Sequence, residues 1–214
     1  MVIEIKRLRS QNAGEEIVIT VEMREGEDGG ACEMRSLLIG ASQYATLNPK
    51  KGEITPEYFD ALEAAHKAFA AIKKSISVLS YGANSPKNLK MKLKQKGIDE
   101  ESASLAVDYA LDHGFIDERS DALRIAECGV RKNWSLKKIA SHLFSKGYSD
   151  EIIREVRAHL EATVDFGELC YNAARSKCRR MPETPDEKKK LFAVLSRQGF
   201  SASDIRAAFE ELNI

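Results

Sequence analysis

Five lysines, Lys87, Lys90, Lys92, Lys94 and Lys96, crowd one short stretch of this sequence. Lys87, Lys90 and Lys94 are spaced three and four apart, which puts them on one face of a helix, opposite Leu89 and Leu93. Arg131, Lys132, Lys137 and Lys138 flank Trp134. Arg175, Lys177, Arg179 and Arg180 end a third basic stretch, with Lys188, Lys189 and Lys190 close behind. Cations in such strips can track phosphates or the acidic rim of a protein partner, and a tryptophan among them can stack on a base or a partner ring. Each of these residues also has a plainer explanation: charge on an outer helix face keeps it solvated, and a tryptophan beside a helix start plugs the junction between helices. Whole-chain charge does not decide the matter. Lys+Arg and Asp+Glu stand at 33 each, so attraction to a polyanion must come from local patches.

Catalytic chemistry has little to work with. His66, His113, His142 and His159 show no HExxH or other metal-ligand spacing. No glycine-rich phosphate loop follows a strand. The adjacent carboxylates Asp117 and Glu118 read as a helix N-cap and a first-turn acid, both favoured by the helix dipole. The expectation is a protein that is not an enzyme, with no catalytic residue, cofactor or metal. Cys32, Cys128, Cys170 and Cys178 form no CxxC pair, and the last two fall about two turns apart on one helix, too far to bridge. Reduced thiols, no apolar run of bilayer length and no signal-peptide layout in "MVIEIKRLRS" imply a cytoplasmic protein with no membrane association, and a monomer is expected.

The elements that must position these residues are of two kinds. "VIEIKRL", "EIVITVEM" and "ACEMRSLLI" read as two or three antiparallel strands, with a turn at Asn12-Ala13-Gly14. So small a sheet needs a helix to cover it. "NPKKGEITPEYF" supplies a loop and then a helix start, with Thr55 as N-cap and Pro56 in the first turn. Ala65, Phe69, Ile72, Ile76 and Leu79 continue as an apolar stripe, and Gly82 marks a stop.

Beyond it, one helix–glycine–helix passage is written three times, at Gly97, Gly147 and Gly199, separated by 147 − 97 = 50 and 199 − 147 = 52 residues. Eight and four residues before each glycine stand Leu89/Leu93, Ile139/Leu143 and Leu191/Leu195. After it come an apolar residue (Ile98, Tyr148, Phe200) and an N-cap type (Asp99, Ser149, Ser201). Ala103/Ala106/Ala110, Ile153/Val156/Leu160 and Ile205/Ala208/Leu212 then fall on one helical face. Ser85-Pro86, Ser135 and Thr184-Pro185 mark the start of the preceding helix, and a further helix comes before each pair. The period matches neither the 33–34 residues of tetratricopeptide or ankyrin repeats nor the 40–47 of HEAT repeats. The expected fold is mainly α: three tandem three-helix repeats in an elongated curved array, after a small N-terminal antiparallel β element. Its predicted segments are 1–54 for the β-rich extension and 55–112, 113–162 and 163–214 for the repeats.

In the residues that carry this pattern, the sequence resembles the RecX family of bacterial regulatory proteins that bind the recombinase RecA. "LKMKLKQKGIDEESASLAVDYALDHGFIDERSDALRIAE" is similar to the family's first-to-second repeat passage, with Gly114-Phe115-Ile116-Asp117-Glu118 and Ala122 at its "G-[YF]-[IL]-D-[DE]" element. "KKIASHLFSKGYSDEII" is similar to the second element. The third copy departs from it, with Gln198 where Lys96 and Lys146 stand in the others. The resemblance covers about residues 60–214 and implies binding along the RecA–single-stranded DNA filament. It further implies inhibition of ATP hydrolysis, strand exchange and co-protease activity, and no chemistry of the protein's own. The candidate contact residues are Lys87, Lys90, Lys94, Lys96, Arg131, Lys132, Trp134, Lys137, Lys138, Lys146, Arg175, Lys177, Arg179 and Arg180. The alternative is a helical module that binds nucleic acid directly, without regulating a recombinase.

Overall fold

The computed structural model describes residues 2–25, 32–177 and 182–213. The described chain is mainly helical, with ten α-helices and a small N-terminal antiparallel sheet. It divides into two compact units, Met1–Gly82 with Leu89–Phe115, and Ala83–Asn88 with Ile116–Ile214.

In the first unit, strands β1 (Val2–Gln11) and β2 (Glu16–Arg24) form a hairpin closed by a 3-10 turn at Asn12–Gly14, and β3 (Cys32–Gly40) pairs with β2. Alternation puts Ile3 and Ile5 of β1 and Ile17, Ile19, Val21 and Met23 of β2 on one buried face. Helix α2 (Pro56–Leu79) covers that face with Phe59 and Leu62. Two elements go beyond the sequence expectation of two or three strands followed by a loop. Helix α1 (Ala41–Leu47) is too short to show a periodic signal. Strand β4 (Gly52–Ile54) completes the order β3-β2-β1-β4; its three residues pair with Ile3, Glu4 and Ile5, a long-range partnership that local propensity does not encode.

Thr55 caps α2 as expected, accepting from the Tyr58 N–H at 3.3 Å. The buried line of α2 differs from the expected stripe. It runs Phe59, Leu62, Ala68, Ala71 and Ser75, whereas Ile76 is exposed and Ala65, Phe69, Ile72 and Leu79 are only partly covered. The helix lies between β3 and helix α4 (Glu100–Asp112), and small side chains let the backbones approach on that side. Phe69 instead closes on Gly40, where an added Cβ would sit 2.8 Å from the ring. Helix α3 (Pro86–Gln95) buries Leu89 and Leu93, and α4 buries Ala103, Ala106 and Ala110.

In the second unit, helices α5 (Glu118–Arg131), α6 (Leu136–Ser145) and α7 (Asp150–Thr163) pack mutually around Ala122, Ala126, Ile139, Leu143, Val156 and Leu160. Helices α8 (Phe166–Lys177), α9 (Pro185–Arg197) and α10 (Ala202–Glu211) do the same around Cys170, Ala173, Leu191, Leu195 and Ile205. Asp117 caps α5 through the Ser120 N–H, and Asp165 accepts from the N–H groups of Gly167 and Glu168 at the start of α8. Cys178, Arg179 and Arg180 lie outside the described residues.

Candidate functional site

The three glycines close their helices alike. Gly97, Gly147 and Gly199 have φ of +82°, +81° and +90°, and the following residue donates its N–H back to Leu93, Leu143 or Leu195. This is the Schellman closure, which favours glycine because a left-handed backbone crowds any Cβ. Tyr148 and Phe200 fold back as buried lids, 4% and 5% exposed, rather than facing solvent.

At two of these closures the structure adds a contact that local sequence does not announce. Ser85, at the start of α3, accepts from the Asn88 N–H and also donates its hydroxyl to the Lys146 carbonyl at 2.7 Å. Ser135, the N-cap of α6, accepts from the Lys138 N–H and donates to the Gln198 carbonyl at 2.7 Å. Each serine thus caps two helices, the start of its own and the end of one more than 60 residues later in the chain. A Cβ on Gly147 would stand 3.0 Å from the Ser85 hydroxyl, and one on Gly199 2.8 Å from that of Ser135. Neighbouring Gly97, by contrast, has nothing within 4 Å of that position.

These latches decide which basic residues meet. The Lys87 stem runs across Gly147, 3.4–3.5 Å from where a Cβ would be, so Lys87 and Lys146 share one junction. Lys137 lies across Gly199 in the same way, beside Gln198 rather than a lysine. Around Trp134 the structure gathers Lys132 and Lys138, with ammonium groups 5.5 and 4.6 Å from the ring centroid. His142 meets the ring edge-on at 5.1 Å. Trp134 is half-buried over Gly129, where a Cβ would be 3.1 Å from the indole. It is a plug between α5 and α6 that also carries two cations. His142 is held below its ordinary pKa by burial and by Lys146, Lys132 and Lys138, so it is neutral at pH 7 and adds no charge to the cluster. Arg131 donates to the Cys128 sulfur at 2.8 Å.

Other expected contact residues are differently occupied. In the first unit Lys90 forms an ion pair with Glu100 at 2.6 Å, and Lys94 pairs with the same carboxylate. Lys87, Lys94 and Lys96 are exposed and Lys90 is half-buried. The two ammonium groups hold the Glu100 carboxyl down at about 2. Its contribution is complete above the ordinary carboxylate pKa near 4.5 and is lost as pH falls from there toward 2. Glu100→Gln is therefore expected to lower the melting temperature slightly at pH 7 and to flatten the acid limb between about pH 5 and pH 2, where the parent loses that same contribution. An unchanged acid limb would show that the pair is not formed in solution. Arg175 lies over Tyr171, 5.6 Å from its ring centroid, and Lys177 is exposed at the end of α8.

Among the described residues, no group of three or more His, Cys, Asp or Glu side chains is placed to hold a metal ion. No helix among them is long and apolar enough to cross a membrane. Fold and surface together define a mainly helical protein that groups exposed lysines beside its Trp134. No family model matches the sequence. Among proteins of curated function, the chain is 34% identical over 142 residues to the regulatory protein RecX of Chlorobaculum tepidum, covering 65% of this chain and 86% of that one. It is 26% identical to RecX of Clostridioides difficile over 173 residues, 78% of this chain and 80% of the relative. The chain belongs to the RecX family of regulatory proteins. Its fold also matches a crystal structure of regulatory protein RecX with a TM-score of 0.75 at 20% identity, over 97% of both chains. A crystal structure of RecX from Lactobacillus salivarius matches at 0.62 and 21% identity, over 70% of this chain and 98% of the other. The first of these alignments takes in nearly the entire chain, so the N-terminal sheet, which lies outside the residues that carry the sequence resemblance, is part of a shared fold.

Proposed function

We propose that this chain is a cytoplasmic, non-catalytic regulator that binds the filament of the recombinase RecA on single-stranded DNA. Bound there, it inhibits ATP hydrolysis, strand exchange and co-protease activity, and so modulates recombination, DNA repair and the SOS response. Family membership carries this reading, and two exposed cationic groupings support it: Lys132 and Lys138 around Trp134, and Lys87 with Lys146 at the Gly147 junction. The helix triads belong to the same reading as three tandem repeats, each offering part of one extended surface. Several weak contacts along such a surface combine through effective concentration, so no single one need be strong. Holding neighbouring filament subunits stalls their ATP cycle, with no bond made or broken by the regulator. Titrating the purified monomer into recombinase, ATP and single-stranded DNA is expected to suppress ATP hydrolysis progressively. Undiminished hydrolysis across a wide ratio of the two proteins would refute the proposal.

The same cationic cluster supports a second reading, direct binding of nucleic acid. It requires affinity for single-stranded DNA in the absence of recombinase, falling steeply as salt rises through counterion release. Weak binding with a shallow salt dependence, together with strong inhibition of the recombinase, favours the first reading.

A further inference from the structure

The second unit contains a cavity of about 360 Å³ walled on one side by the Trp134 cluster. Its walls combine three kinds of group. Ile125, Gly129 and Trp134 give a flat apolar side. Asn84 and Asn88, joined by a 3.1 Å hydrogen bond between their side chains, give amides. Arg124, Lys132 and Lys146 give positive charge. No Asp or Glu is among its lining residues, and among the described residues the one carboxylate ion-paired with a lining cation is Asp121, which accepts from Arg124 at 2.8 Å. Lys132 and Lys146 have no acid opposite them across the cavity.

Tyr148 also lines this space, and its buried hydroxyl has no hydrogen-bond partner. Burial pushes the phenol up to about 12, so the group keeps its proton at neutral pH and has a hydrogen bond to donate. A buried polar atom left unpaired costs about 1–3 kcal/mol, which marks a place an occupant can complete.

We infer that this cavity is a binding site for a single nucleotide, with the base against the Trp134–Ile125 wall and the phosphate held by Lys132 and Lys146. The volume sits at the small end of ligand pockets, which suits one nucleotide and not a dinucleotide cofactor. Amides can meet both donors and acceptors on a base edge, and the two lysines match the charge of a phosphate monoester. A phosphate arriving beside His142 would also offset the lysine charges that, after burial, hold the pKa of that imidazole down.

Trp134 is the chain's one tryptophan, so its fluorescence reports on this cavity directly. The full-length protein, with no recombinase present, is titrated with deoxyadenosine monophosphate, with inorganic phosphate, and with a short 5′-phosphorylated single strand. Calorimetry provides a second readout. The nucleotide is expected to give a saturable change, and inorganic phosphate a half-saturation at least tenfold higher. In the doubly substituted Lys132→Gln, Lys146→Gln protein, the nucleotide half-saturation is expected to rise about tenfold or more at an unchanged melting temperature. Competition between the free nucleotide and the 5′-phosphorylated strand identifies which source fills the site, since both carry the same unit. No saturable change at millimolar nucleotide, equal affinity for phosphate alone, or an unaltered titration in the double variant would each overturn the inference. None of these outcomes depends on whether the protein inhibits a recombinase.

Discussion

Gly199→Ala is expected to destabilise the protein by about 3 kcal/mol, lowering the melting temperature by roughly 6–12 °C. Two costs add at this position. An alanine at φ +90° pays roughly 1–2 kcal/mol for the left-handed backbone. Its methyl group would also stand 2.8 Å from the Ser135 hydroxyl and 3.2 Å from Lys137 Cβ. Ser135 cannot rotate away without giving up both the bond it accepts from Lys138 and the one it donates to Gln198. Gly147→Ala should follow closely, with Ser85 in the same role at 3.0 Å. Gly97→Ala is the control: its backbone is equally left-handed at φ +82°, but nothing lies within 4 Å of the new methyl. It should cost only the backbone part, about 1 kcal/mol. Equal losses at all three positions, measured by chemical denaturation, would mean that the serine latch adds nothing.

Reversing four charges, Lys87, Lys132, Lys138 and Lys146 to Glu, is expected to abolish binding to the partner while leaving the fold intact. Lys87, Lys132, Lys138 and Lys146 are all exposed, and none has an ion-pair partner among the described residues. A surface ion pair contributes about 0.5–1 kcal/mol, and reversal replaces each attraction with a repulsion. Four such changes total about 4 kcal/mol or more, enough to raise the concentration for half-inhibition by roughly a thousandfold. Lys50→Glu with Lys51→Glu, in the loop before β4, makes a charge-reversal control, with half the change in net charge, expected to inhibit normally. Inhibition by the quadruple variant at the parent concentration would place the contact surface elsewhere.

The sequence carried the helix closures plainly because their signals are local. A glycine must sit where φ is positive, a small polar residue must cap the next helix, and both lie within a few residues of the leucines they serve. The same holds for Thr55-Pro56 and for Asp117, whose carboxyl is held below its ordinary pKa by Ser120. What escaped was long-range. Strand β4 exists because β1 offers it an edge, and the second role of Ser135 depends on a carbonyl 63 residues away. The lysine spacing of α3 was legible, but its neutralisation by Glu100 required knowing that Gly97 turns α4 back toward α3. Trp134 shows the middle case. It plugs a junction over Gly129, as the plainer of its two sequence readings has it, and two ammonium groups of its own chain face the ring. The stripe on α2 was misplaced because the helix packs on its small residues and leaves Ile76 in solvent.

The serine latch also bears on how the molecule comes apart. The α8–α10 group cannot detach from the α5–α7 group without leaving the Ser135 hydroxyl and the Gln198 carbonyl to find water together. Sharing one cap between two helices makes local opening costly at both, so these six helices should lose protection in a single cooperative step. Amide hydrogen exchange would then show the last turn of α9 opening at the same free energy as the first turn of α6. In a stack whose groups frayed independently, the outer end would exchange first.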